Sequence, residues 1–170
     1  MGYTHYYETK PTISKDKWAN WTKALKVLLD KPECPLAFEH DMPKKKPSIT
    51  KELVRFNGVG EDGHETFYIK RADKPAEWAS DKNIVFGFCK TAYKPYDVYV
   101  TASLLLAYLY LEDEITLNSD GGTGDWQGAV ELINNTVGKE WGFGLEVTEN
   151  SKEEYPDSIG TALINWKAIA

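Results

Sequence analysis

Two short blocks set reactive side chains against strand-like apolar residues: Phe56-Asn57-Gly58-Val59-Gly60-Glu61-Asp62-Gly63-His64-Glu65-Thr66-Phe67 and Phe88-Cys89-Lys90-Thr91-Ala92-Tyr93-Lys94-Pro95-Tyr96-Asp97. An imidazole beside a carboxylate, as in His64-Glu65, suits general-base or metal chemistry. Neighbouring strand residues point to opposite faces, however, so the pair serves one site only if the chain bends there. A histidine that holds a loop through hydrogen bonds is the commoner use of such a residue. Cys89-Lys90 sets a thiol beside an ammonium, and a nearby cation and a helix N-terminus both stabilise a thiolate. Against that, free cysteine is among the most buried residue types and packs as a small hydrophobe. Lys90, next to an apolar run, needs solvent or a carboxylate, and Asp97 is the nearest candidate. The catalytic role is unassigned, with His64 and Cys89 as its candidates.

Other spacings carry less. His5, His64 and a carboxylate lack the spacing of a metal site. Asp120 and Asp125 lack the ligand series of a calcium loop, and Asp125 reads better as a helix cap. Gly58, Gly60 and Gly63 are followed by neither the lysine-serine/threonine ending of a phosphate loop nor a dinucleotide pattern. No metal and no cofactor is expected.

These groups need elements to hold them. Alternation predicts a first strand over residues 3–9, with Tyr3, His5 and Tyr7 on one face and Thr4 and Tyr6 on the other. Ser14 reads as the N-cap of an amphipathic helix carrying Trp18, Trp21, Leu25, Leu28 and Leu29, stopped by Lys31-Pro32. Residues 32–51, rich in proline and lysine, read as a mobile irregular connection with a short extended piece at 36–39. Residues 53–57 and 65–70 form a hairpin across a glycine-permitted turn, with His64 and Glu65 at its end. After a polar excursion at 72–83, residues 84–89 form an apolar strand expected to be central.

Pro95 and Asp97 suit the first turn of a helix that runs to Leu111 with apolar residues around most of its girth, so that helix should be largely buried. A short strand at 115–119, a helix carrying Trp126, Ala129, Val130 and Ile133 and ending at Gly138, and an edge strand at 145–148 complete the pattern. Residues 150–170 fit either a terminal helix, through Ile159, Leu163, Trp166 and Ile169, or an extended tail. The reading is one α+β domain over 1–170: a mixed or mainly antiparallel sheet packed by about three helices, one of them largely buried.

Composition bounds the function. The 170 residues carry 20 Lys and Arg against 26 Asp and Glu, a net charge of −6, and that sign opposes general nucleic-acid binding. The Lys44-Lys45-Lys46 run reads as a solvated loop, and the acidic residues are too scattered to mimic nucleic acid. Residues 98–111 are too short to cross a bilayer, which needs about 20 apolar residues. The N-terminus has neither a secretion signal nor, with Tyr6 in place of Ser or Thr, a myristoylation motif. With Cys34 and Cys89 far apart and without metal-ligand spacing, the expectation is a soluble cytoplasmic protein with both thiols reduced.

Tyr3-Thr4-His5-Tyr6, Phe56 to Asp62 with His64-Glu65-Thr66-Phe67, Phe88-Cys89-Lys90-Thr91-Ala92 with Lys94-Pro95-Tyr96-Asp97, and Ser119-Asp120-Gly121 with Asp125-Trp126 together resemble a family of small proteins of phage and bacterial genomes without an assigned activity. The blocks span roughly residues 3–137 in the same order. Tyr93 stands where that pattern has a basic residue, and the turn from Gly121 to Gly124 is expanded. The resemblance implies a phage or mobile-element origin and supplies no mechanism.

Three functions follow. The first is a phage-type accessory protein whose polar pocket, lined by His5, Asn57, His64, Lys90 and Asp97, recognises a small polar or anionic, nucleotide-like ligand. The second is an enzyme using Cys89 or His64. The third is an interaction protein that binds a host component, such as a defence factor, with the motifs serving only the fold. The acidic surface, exposed aromatics and proline-rich loop are all compatible with it and none is specific to it. The common expectation is that Cys89, Lys90, Asp97 and His64 converge.

Overall fold

The structure, a computed structural model, describes residues 2–168. Along the chain run β1 (Thr4–Thr9), α1 (Lys15–Leu28), β2 (Leu36–Ala37), β3 (Ser48–Ile49), β4 (Leu53–Gly58), β5 (Phe67–Lys70), β6 (Val85–Lys90), α2 (Asp97–Leu111), β7 (Ile115–Ser119), α3 (Gln127–Ile133), β8 (Phe143–Thr148) and β9 (Leu163–Ala168). All strand pairings are antiparallel: β1 lies between β6 and β7, β4 pairs with β2, β3 and β5, and β8 pairs with β9. This is the α+β architecture read from the sequence.

The alternation in β1 puts Tyr3, His5, Tyr7 and Thr9 into the core and turns Thr4, Tyr6 and Glu8 outward. Its neighbour β6 is not central. It forms the edge of the three-stranded sheet, with Phe86 and Phe88 on the outer face at 48% and 52% exposure. An unbroken apolar run suggested burial on both faces, but in β6 the helices cover one face only.

α2 is buried on nearly all sides, including Leu104, Leu105 and Leu106, each of which contributes roughly 1.5–3 kcal/mol through burial. Its polar Thr101 and Ser103 hydroxyls turn back onto the carbonyls of Asp97 and Tyr99, which satisfies them inside the core. It begins at Asp97, two residues after Pro95. α1 packs against it, and Trp21 Nε1 donates to the Ser103 carbonyl at 3.0 Å. Ser14 occupies the N-cap position, yet its hydroxyl does not cap the helix. It donates to Glu114 Oε1 at 2.7 Å, and the Ser14 amide reaches the same buried carboxylate. A negative group at the helix start is favoured by the dipole.

Residues 32–51 include β2 and β3, and the lysine run is partly packed: Lys45 Nζ lies 3.7 Å from the centre of the Phe38 ring. In the β4–β5 turn, a Cβ on Gly63 would stand 2.6 Å from the Gly58 carbonyl oxygen, and Gly60 has φ +58°, so only glycine closes this turn without strain. The helix begun by α3 continues through a π-segment, Asn134–Gly138, to Trp141, beyond the expected stop at Gly138. Gly142, at φ +75°, ends it. Asp125 does not cap α3. Its Oδ2 accepts from the Gly122 amide and closes the preceding turn. The C-terminal segment is a 3-10 turn, Ile159–Thr161, followed by β9, whose pairing with β8 supplies the ladder bonds a helix would have made internally. Ile169 lies outside the described residues. One core cluster draws on α1, α2, α3 and the inner faces of all three sheets.

Candidate functional site

At the start of β1, strand register places His5 opposite both Cys89 and Ser119. The buried His5 ring lies between two partners, with Nδ1 2.8 Å from Ser119 Oγ and Nε2 2.6 Å from Asp97 Oδ1. Ser119 Oγ already accepts from the Gly121 amide at 2.9 Å and from Trp126 Nε1 at 3.3 Å. Both its lone pairs are used, so its own proton goes to His5 Nδ1. The imidazole therefore carries its proton on Nε2 and gives it to Asp97, whose Oδ1 also accepts from the Thr91 hydroxyl. The order serine, histidine, aspartate matches the proton inventory of a nucleophilic triad. Here the serine oxygen is held by two donors besides the imidazole, and Tyr3 and Trp126 stand edge-on to the His5 ring at 4.9 and 5.3 Å. This is a part-buried lock around the buried His5 that joins β1 to β7 and α2, with Thr91 just after β6 and Trp126 just before α3 bonded into it.

A second lock holds the end of β6. His64 Nδ1 donates to the Lys90 carbonyl at 3.0 Å, the Glu65 amide donates to that same oxygen at 3.2 Å, and the Lys90 amide donates to Glu65 Oε2 at 2.8 Å. His64 and Glu65 thus reach one residue from a bent connection, both on its backbone. Asn57 is buried and bonded to His64 N, His64 O and Thr66 Oγ1. Cys89 is buried with its thiol on the Glu65 carbonyl at 3.4 Å, and Tyr96 OH donates to the same carbonyl at 2.6 Å. Burial pushes the Cys89 thiol up to about 12, the opposite of activation,.

The chosen residues are neighbours, but they do not line one pocket. His64 touches the Lys90 backbone and His5 touches Asp97. By alternation the Lys90 side chain lies on the outer face with Phe86 and Phe88, while Cys89 and the His5–Asp97 pair lie beneath the sheet,. Asp97 pairs with His5 and Thr91 instead of Lys90. The β6–α2 connection carries Ala92 and Tyr93 at φ +51° and +60°, held by Thr91 and Ala92 amides on the Tyr3 carbonyl and by Tyr93 stacked 3.8 Å from Tyr3. Ser119 and Trp126 complete the first lock. The sequence reading gave them a strand end, a helix stripe and a place in the resemblance but no role in a site, because a serine at a strand end has no signal of its own.

Surface chemistry concentrates elsewhere. On the outer sheet face Tyr6, Phe86 and Phe88 form a continuous series, with ring centres 6.4 and 6.0 Å apart. Beside them lie exposed Tyr68 and Trp78, the latter 81% exposed. Among the described residues no three His, Cys, Asp or Glu side chains gather as metal ligands, and no helix is long and apolar enough to cross a membrane. No family model matches this chain, and neither a curated protein nor a solved structure matches it.

Proposed function

We propose that the protein is a phage-type accessory protein that acts by binding another protein, in the host cytoplasm, through the outer face of the three-stranded sheet. The observation that carries this reading is the exposure of Phe86 and Phe88 on an edge strand, next to Tyr6, Tyr68 and Trp78. Exposed aromatics gathered in one patch are what interfaces use as anchors. The polar motifs support it indirectly, because their hydrogen bonds are spent on one another and on the backbone. The test is affinity capture from bacterial lysate with the wild-type chain, Phe86→Ser/Phe88→Ser and Ser119→Ala. One stoichiometric partner, lost with the phenylalanine pair and kept with Ser119→Ala, supports the reading. A partner held equally by all three contradicts it.

A second reading, a small polar ligand, is favoured by an open groove of about 610 Å³ lined by residues that include Ser119, Asp120, Tyr155, Asp157 and Ser158. Its acidic lining favours a neutral or cationic ligand over an anionic one. Thermal-shift screening with nucleotides, sugars and amines tests it, and no stabilisation by any of them removes it.

A further inference from the structure

β5 and β6 belong to different sheets, yet they run side by side in opposite directions. They touch at one end, where the Glu65 amide bonds the Lys90 carbonyl, and then part around a cleft of about 350 Å³ walled by Tyr68, Lys70, Val85, Phe86 and Phe88. Tyr7 accounts for the gap. Its ring crosses under Gly87, where a Cβ would stand 2.4 Å from Tyr7 Cε2, and its hydroxyl ends 3.1 Å from the Tyr68 carbonyl. This wedge holds the two strand edges apart at core level.

The cleft is lined by unpaired backbone. Lys90 turns its amide and carbonyl away from β1, onto Glu65. Hydrogen-bonding direction alternates along an antiparallel strand. Phe88 and Phe86, two and four residues earlier, therefore also direct their amides and carbonyls away from β1 and into the cleft, while Cys89, Gly87 and Val85 face His5, Tyr7 and Thr9. The same logic sends the Lys70 backbone into the cleft, because the Tyr68 carbonyl already points there. A strand edge left open in this way is a template for another strand.

The charges choose the occupant. The cleft and the adjoining groove under Trp78 are lined by Glu8, Glu65, Asp73 and Asp81 against Lys70 and Lys74. A neighbouring third lysine, Lys82, keeps its charge while bonded to the Ala76 and Glu77 carbonyls, so the carboxylates outnumber the ammonium groups by four to three. The surface is acidic and aromatic, which suits guanidinium or ammonium groups stacked on Trp78 or Phe86 and opposes a phosphate backbone.

We infer that the cleft takes a basic, extended segment of the partner protein, which adds as a strand to the free edge of β6, with alternate side chains on Phe86 and Phe88 and its Arg or Lys residues toward Asp73, Asp81 and Trp78. This inference rests on the protein-binding reading above and names the chemistry of its partner. Strand addition supplies main-chain bonds, and the alternate side chains supply selectivity.

The test is fluorescence anisotropy with labelled peptides of about eight residues, a strand with short flanks: alternating valine and arginine, alternating valine and glutamate, and the arginine peptide N-methylated at every second residue. A single-stranded oligonucleotide is the fourth probe. The expected result is binding of the arginine peptide at least about tenfold tighter than of the glutamate peptide, weakened by salt, by N-methylation and by Phe88→Pro. That substitution removes an amide facing the cleft but no ladder bond to β1, whereas Phe88→Leu retains the amide and most of the binding. Equal binding of both peptides, indifference to N-methylation, tighter binding of the oligonucleotide, or no binding by any probe overturns the inference. If lysate capture still depends on Phe86 and Phe88 in that event, the protein-binding reading stands and only strand addition falls. If the wild-type chain captures no partner, or holds it equally without Phe86 and Phe88, both fall.

Discussion

His5 Nε2 and Asp97 Oδ1, 2.6 Å apart, are joined across 92 positions of sequence, and Ser119 on the far side of the imidazole fixes which proton lies between them. Removing the acceptor leaves a buried N–H without a partner, at a cost of about 1–3 kcal/mol. Asp97→Ala is expected to lose stability in that range or above it, Ser119→Ala a similar amount, and Asp97→Asn less, because it keeps an oxygen in place. Urea midpoints of the three variants check this order.

Cys89 is predicted to be inert in the folded protein. With the thiol at about 12, its thiolate fraction at mildly alkaline pH is at least about a hundredfold below that of a free cysteine. A thiol reagent followed with and without denaturant checks this: labelling of Cys89 should wait for unfolding, and Cys89→Ala should leave partner capture unchanged.

Acid stability should depend on Glu39. Hydrogen bonds from Thr66 Oγ1 first, and from Arg55, hold its carboxyl below the usual range in the folded state. A depressed folded value contributes stability that is present above the unfolded value, about 4.3, and is lost as pH falls through the folded one. Glu39→Gln should flatten the fall in stability below about pH 4–5, as read from thermal midpoints across acid buffers.

Ala92 and Tyr93 mark strain that can be relieved. An Ala held in the left-handed region costs about 1 kcal/mol relative to Gly, so Ala92→Gly should raise the unfolding free energy by up to that amount, less whatever the more flexible unfolded chain gives back. Gly87→Ala should do the reverse, because its Cβ meets the Tyr7 ring, and overpacking of this kind costs about 1–3 kcal/mol. Paired denaturation curves read both.

Much of the fold was legible because its periods were strong. The alternation around His5 and Tyr7, the tryptophan-leucine stripe of α1 and the all-round apolar α2 each had one physical solution. The misplacement of β6 has a specific cause: Val-Phe-Gly-Phe-Cys reads the same whether a strand is covered on one face or both, and only the partner strands decide. The candidate site was legible as a neighbourhood, through His64 with Lys90 and His5 with Asp97. It was not legible as two separate locks, one beneath the sheet around His5 and one at the end of β6 around the Lys90 backbone, because face depends on register. Ser14 was placed correctly at the start of α1, but long-range Glu114 took its side chain; Asp125 was read as the cap of α3, where Trp126 holds the cap position and the Gly122 amide takes the carboxylate.

The most direct measurement is photo-crosslinking in the producing host, with p-benzoylphenylalanine replacing Phe88 in one protein and Tyr155 in another. Position 88 lies on the outer face at the β6 edge, and position 155 lines the groove beside Ser119. The account predicts one discrete crosslinked partner from position 88, diminished when Phe86→Ser is added, and none from position 155. A partner crosslinked at 155 and not at 88 would contradict it and move the function to the groove.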